Sequence, residues 1–348
     1  MDINKLISSN NLPLIDVRSE SEFAQGHIPG AINKPMLNDD ERKQVGICFK
    51  SKGREEAIEL GYNLVGHKFK DKLRDVSETV DSKKVNIYCW RGGLRSKIFS
   101  ELLEEGGFAV SRLKDGYKSY RKWALNQFNI QYPLIILGGA TGTGKTELLH
   151  ALKKKGEQVI DLEDLANHKG SAYGGIEMKA QPTNEQFENE LALKLNYLCG
   201  DKPIWIENES RLIGKLKVPD QLYEQMRTAR VIDVELSLQL RVKRIAKEYA
   251  ILPKAELIKA TSKLEKRLGN RNMNLAIEHL NNNEHEKWIE IMLVYYDKMY
   301  AYGMSLRKKE DIYHIKLPEN DASTNAEIIL KYYYEHIGRN TRSAVNTV

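Results

Sequence analysis

Cysteine is scarce in this 348-residue chain: there are three, Cys48, Cys89 and Cys199, and no two form a C-x-x-C pair. So odd and sparse a set excludes a disulfide framework and a cysteine-built structural zinc site. The eight histidines are scattered and offer no metal-ligand spacing instead. No apolar run approaches the roughly 20 residues a membrane-spanning helix needs. Met1-Asp2-Ile3-Asn4-Lys5 has neither the basic start nor the apolar stretch of a secretory signal. The expectation is a cytoplasmic protein with no membrane partner. Internal repeats and low-complexity tracts are absent too. Charge of one sign is only mildly in excess, at a formal net +6, which tolerates a polyanionic partner without demonstrating one.

What is present reads as globular. Hydrophobic residues make up 41% and charged residues 29%, the balance of a soluble fold, and the length exceeds one ordinary core. Leu14–Val17 and Val85–Tyr88 read as strands, and Ile98, Leu102 and Leu103 place a helix after the second, an α/β unit. Trp123–Gln131 reads as a connector. A second α/β pattern starts at Pro133, with strands expected at Leu134–Leu137, Val159–Leu162, Pro203–Ile206 and Val231–Val234. Thr183 with Gln186 three residues on marks a helix start. The expected organisation is an N-terminal α/β domain over residues 1–125, a phosphate-binding α/β domain over 132–236, a helical basic extension over 237–338 and a loose tail over 339–348.

Gly139-Ala140-Thr141-Gly142-Thr143-Gly144-Lys145-Thr146 fits G-x-x-x-x-G-K-[ST] and stands between an apolar strand and a helical run. Gly139, Gly142 and Gly144 let the backbone curl until several N–H groups converge on one anion. The helix start adds partial positive charge, Lys145 adds a full one, and Thr146 could ligate Mg²⁺ beside a bound nucleotide. Glu207, ending the strand Ile204-Trp205-Ile206, is the first choice for the acid facing the phosphates and Glu209 the second. The pattern specifies phosphate, not ATP; any pyrophosphate-bearing molecule would suit it.

The loop Tyr88-Cys89-Trp90-Arg91-Gly92-Gly93-Leu94-Arg95-Ser96 sets a cysteine between a strand end and a helix start. Inward N–H groups, the helix dipole and the charges of Arg91 and Arg95 all favour a thiolate at Cys89 and would cradle an oxyanion approaching it. Cys199, near a helix end, reads as packing; Cys48 has no evident role.

Leu14-Ile15-Asp16-Val17-Arg18-Ser19-Glu20-Ser21-Glu22-Phe23 followed by Gly26-His27-Ile28-Pro29-Gly30-Ala31-Ile32-Asn33 resembles the opening signature of rhodanese domains, whose catalytic cysteine heads a loop like that at Cys89. Asp39–Cys48 is not generic rhodanese. With Cys89-Trp90-Arg91-Gly92-Gly93 and the downstream P-loop, it resembles the tRNA 2-selenouridine synthase family. The resemblance runs from about residue 12 to residue 215. It implies two-step chemistry on wobble 2-thiouridine: S-geranylation from geranyl diphosphate, then displacement of the S-geranyl group by selenium derived from selenophosphate. Cys89 matches the selenium-carrying cysteine, and the P-loop gains a ligand in the departing diphosphate. No tightly bound cofactor is implied. The partners would be the tRNA anticodon arm and an enzyme that supplies selenophosphate. Asn208 stands where the resemblance leads one to expect an acidic residue.

Positive charge gathers at Arg241 and Arg244 and again at Lys259, Lys263, Lys266, Arg267 and Arg271. Spacings of three and four place the second group on one face of a helix, a stripe able to hold tRNA phosphates without reading sequence. Two other readings fit the same motifs. One is a rhodanese-type tRNA sulfurtransferase whose P-loop uses ATP to activate a uridine carbonyl. The other is a non-catalytic sulfur or selenium carrier with a nucleotide-controlled switch domain.

Overall fold

A computed structural model describes residues 1–8, 12–198, 200, 202–318 and 321–338; Cys199 and the tail 339–348 lie outside them. The chain divides into two compact units, Met1–Phe128 with Thr183–Leu193, and Asn129–Pro182 with Lys194–Val348. No helix among the described residues is long and apolar enough to cross a membrane.

The first unit is built on four parallel strands, β1 (Leu14–Asp16), β2 (Ile32–Asn33), β3 (Lys84–Tyr88) and β4 (Ala109–Arg112), in the order β2-β1-β3-β4. Ile15, Val17, Val85 and Ile87 are fully buried and share a core with Phe99 and Leu103 of the helix Leu94–Glu105. The signature residues are structural. Arg18 forks onto Asp16 at 2.6 Å, with both side chains buried, and donates to the Gly26 carbonyl at 2.7 Å. Its guanidinium lies 3.9 Å from the centroid of Tyr117. A buried ion pair needs such extra partners to offset desolvation.

Trp123–Gln131 is not the connector expected. Its first half completes the helix Gly116–Gln127, which buries Tyr117, Tyr120 and Ala124 at spacings of three and four. The helix Asn184–Asn196 starts as foreseen, Thr183 Oγ1 accepting from Gln186 N at 3.0 Å. The Gln186 side chain does not return to close a capping box. It accepts from His27 N at 2.8 Å, while Tyr117 donates to Glu185 at 2.6 Å and Tyr120 to the Asn189 carbonyl at 2.8 Å. These bonds explain why Thr183–Leu193 belongs with the first unit.

The second unit carries β5 (Leu134–Gly139), β6 (Gln158–Ile160), β7 (Ile204–Glu207), the hairpin of β8 (Leu212–Ile213) and β9 (Leu216–Lys217), β10 (Arg230–Glu235) and β11 (Ile312–Lys316). The main sheet is parallel, in the order β11-β10-β5-β7-β6. Here the expected boundary at 236 gives way. β11 completes the sheet, and Ala326, Ile329 and Tyr333 of the helix Ala322–His336 join Leu149, Leu152 and Trp205 in its core. Residues 237–338 are thus not a purely helical extension. The helices between Leu238 and Ser305 form a second cluster around Trp288, Leu257 and Leu280.

Candidate active sites

Cys89 follows β3 and is 3% exposed. Its loop is pinned from below: Tyr117 N donates to the Cys89 carbonyl at 2.9 Å and Lys118 N to that of Trp90 at 3.0 Å. Gly116, at φ +58, lies so close that a Cβ there would come within 2.2 Å of the Cys89 carbonyl oxygen, so only glycine fits. The Cys89 thiol donates to Ser96 Oγ at 3.3 Å, and Ser96 Oγ donates to the Gly93 carbonyl at 3.1 Å. Of the two arginines expected beside the sulfur, Arg91 is exposed and has no ion pair among the described residues. Arg95 is instead gripped by Glu22 at 2.5 and 3.2 Å. Against the upward push of burial, this contact holds the Glu22 carboxyl below its ordinary range. Arg95 therefore braces the loop, its charge already matched. Ser96 and Glu22 were not singled out by motif; Ser96 sits where the first helical turn faces back over the sulfur.

The phosphate cradle forms where β5 ends. Gly139, Gly142 and Gly144 all take positive φ, at +148°, +85° and +82°, and the helix Lys145–Lys154 starts immediately. Lys145 Nζ donates to the Gly139 carbonyl at 2.7 Å. Thr146 Oγ1 donates to Glu163 at 3.2 Å. Glu207, at the end of β7, accepts from the backbone N–H groups of Leu162 and Glu163 at 2.7 and 2.9 Å, while its other oxygen is buried without a hydrogen-bond partner. Glu163 and Glu209 converge on Gly170, where a Cβ would lie 2.9 and 2.8 Å from their carboxylate oxygens.

Crowding of these acids shows in their protonation. Burial and then the Glu209 charge push Glu163 up to about 7, despite Lys145 and Thr146. Burial and then the charges of Asp161 and Glu209 raise Glu207 well above the usual carboxylate range; burial also raises Glu209. Glu163 escaped the sequence reading: it lies beyond β6 on the short helix Leu162–Ala166, capped by Asp161, and so carries no strand-end pattern like that of Glu207. Asn208 turns away, accepting from Arg307 at 3.0 Å. Thr146 and Glu163, 3.2 Å apart, are oxygen donors of the kind Mg²⁺ prefers, whereas Glu163, Glu207 and Glu209 do not bring three ligand atoms together into one metal site. Bound there, the ion would neutralise charge on a diphosphate.

The basic residues separate. Arg241 is 7% exposed and thus no free cation: it forks onto Asp297 at 2.8 and 2.7 Å and donates to the Thr141 carbonyl of the cradle at 3.1 Å. Arg244 lies over Gly144 and pairs with Glu147 at 2.9 Å. Both sit against the P-loop. Lys259, Lys263, Lys266, Arg267 and Arg271 are exposed, but not on one helix. They are distributed over Lys254–Ser262, its C-cap, Glu265–Leu268 and Asn270–Asn281, with Gly269 between the last two at φ +78.

A cysteine loop on a four-stranded parallel sheet, carried in one chain with a P-loop on a five-stranded one, defines a rhodanese–P-loop fusion protein. Residues 2–122 match the rhodanese-like domain, and residues 132–320 match the tRNA 2-selenouridine synthase AAA domain. The chain belongs to the tRNA 2-selenouridine synthase family. Relatives of that name include one from Hydrogenovibrio crunogenus, 37% identical over 86% of this chain and 91% of its own length. Another, from Pseudomonas syringae pv. syringae, is 36% identical over 84% and 88%. A third, from Shewanella halifaxensis, is 34% identical over 89% and 95%.

Proposed function

We propose that this chain modifies tRNA, converting wobble 2-thiouridine to 2-selenouridine through an S-geranyl-2-thiouridine intermediate, with geranyl diphosphate and selenophosphate as substrates. Family membership supports the overall conversion. The observation that carries the two-step form is the presence in one chain of two different chemistries: a cysteine at the head of a glycine-pinned loop, and a lysine-bearing phosphate cradle ringed by carboxylates.

In the first half-reaction the thione sulfur bonds to the allylic carbon, the carbon–oxygen bond breaks with its electron pair, and diphosphate departs. Negative charge grows on the leaving oxygens, where Lys145 and the loop N–H groups of Gly139–Gly144 are suited to receive it. In the second, selenophosphate gives up selenide as phosphate forms, the selenium bonds to C2 of the base beside Cys89, which would hold it in place, and the C2–sulfur bond breaks with its electron pair so that geranylthiol departs. The exposed cations from Lys259 to Arg271 are suited to the phosphates of the anticodon arm. An enzyme that makes selenophosphate would be the supplying partner.

The test is mass spectrometry of nucleosides from tRNA incubated with the protein, geranyl diphosphate and selenophosphate, with and without ATP. Both S-geranyl-2-thiouridine and 2-selenouridine should form without ATP. A strict ATP requirement would favour the carbonyl-activating sulfurtransferase instead, and no turnover on isolated tRNA would favour the carrier.

A further inference from the structure

The stretch Asp39–Cys48 has no part in the chemistry assigned so far. It forms most of the helix Asp39–Lys52, which packs against the helix Arg54–Val65 as an antiparallel hairpin. Between this hairpin and the cysteine loop lies a cavity of about 900 Å³, within the usual range of about 300–1,000 Å³ for small-molecule sites. Cys89 is part of its wall. Val45, Ile47, Phe49, Ile58, Tyr62 and Ile98 give it an apolar lining, although Ile47 and Phe49 are 58% and 57% exposed. Large apolar side chains left open around one cavity mark a binding surface. Lys43, Lys50, Arg54 and Arg91 add positive charge to the same lining and make no ion pair among the described residues.

We infer that this cavity is the subsite for the geranyl chain of the S-geranyl-2-thiouridine intermediate, holding the prenylated base beside Cys89 for the selenium step. The inference rests on the two-step reading above. An apolar tail on a polyanionic body is what an apolar pocket with cationic residues complements, and among the described residues this cavity brings those features to the cysteine. The hairpin's role is then to recognise the group that must leave. A plain sulfur-transferring rhodanese would have no such group to hold.

Gly46 makes the assignment testable. It lies in the cavity wall on a helix, and a Cβ there would meet nothing within 4 Å. Gly46→Leu therefore fills the cavity without a backbone clash and raises helix propensity. Phe49→Ala widens the same space. Full-length variants would be given tRNA bearing S-geranyl or the shorter S-dimethylallyl 2-thiouridine, with selenophosphate, and selenouridine formation measured. Gly46→Leu should lower kcat/KM for the ten-carbon substrate relative to the five-carbon one by about 10–200-fold. Phe49→Ala should improve use of a fifteen-carbon farnesyl substrate relative to geranyl. Unchanged chain-length preference in both variants, with wild type active on geranylated tRNA, would overturn the cavity assignment and leave the two-step function standing. Failure of wild type on geranylated tRNA would instead overturn the reading beneath it. If Gly46→Leu lost both substrates through misfolding, the farnesyl preference of Phe49→Ala would decide.

Discussion

The ammonium of Lys145 donates to the carbonyl oxygen of Gly139, six residues back on its own loop, at 2.7 Å. A diphosphate in the cradle would compete for that ammonium, and its leaving oxygens would gain charge as the allylic bond breaks. Lys145→Ala should slow geranylation by about 10²–10³. Selenation of pre-geranylated tRNA should persist, because no diphosphate leaves in that step. Assaying the two half-reactions separately on one preparation checks this. Equal loss of both would mean that Lys145 serves tRNA binding or folding.

Cys89→Ser should abolish selenation while S-geranylated tRNA accumulates. The substitution is nearly isosteric and keeps a donor for Ser96 Oγ, so the loop should hold its shape. Nucleoside mass spectrometry reads both products. A variant that made selenouridine at the wild-type rate would remove Cys89 from the selenium step.

Replacing Lys263, Lys266 and Arg267 together with Ala should weaken tRNA binding. It should also flatten its salt dependence by about 0.7–0.9 in log–log slope for each phosphate no longer neutralised. All three are exposed, so their removal should leave thermal stability nearly unchanged. Arg241→Ala offers a contrast, since its guanidinium is bound to Asp297 and the Thr141 carbonyl. That change should disturb the P-loop. Titrating tRNA at several salt concentrations separates the cases; an unchanged slope in the triple variant would make those cations merely solvated.

The glutamates of the cradle predict a pH dependence. Glu163 is raised to about 7, so above the ordinary carboxylate value the folded state retains a proton that the unfolded state has released. By linkage, its contribution to stability falls as pH rises from about 4.5 to about 7. Glu163→Gln should remove that part of the slope and raise Tm at pH 7.5; a gain of about 1 kcal/mol corresponds to about 2–4 °C at this size. Mg²⁺ competing with the proton should raise Tm more at pH 8 than at pH 5.5. Melting curves across pH, with and without the ion, test both effects. An equal Mg²⁺ shift at both pH values would place the ion elsewhere.

Local pattern sufficed for the parts that local physics controls. The strand-loop-helix run around Gly139–Thr146, the strand ending at Cys89 and the acid closing β7 are each contiguous, and short-range sterics and apolar periodicity mark them. The strands it passed over are short or half-exposed: β2 has two residues, and β4 buries none of its four. β11 was hidden for another reason. It follows helical sequence and joins the sheet only by pairing with β10, about eighty residues earlier. Such long-range pairing leaves little trace in periodicity.

The family resemblance and the identity of the two reactive loops were therefore determined by the sequence itself, since their chemistry resides in adjacent residues. Tertiary structure alone decided which charges remain free. Arg95 and Arg241 look like available cations in the chain, yet Glu22, 73 residues from the first, and Asp297, 56 from the second, occupy them. It also brought Glu163 to Thr146 and set the Asp39–Val65 hairpin against Cys89. A side chain's partner depends on what folding brings within about 3 Å of it, and spacing along the chain carries no record of that distance.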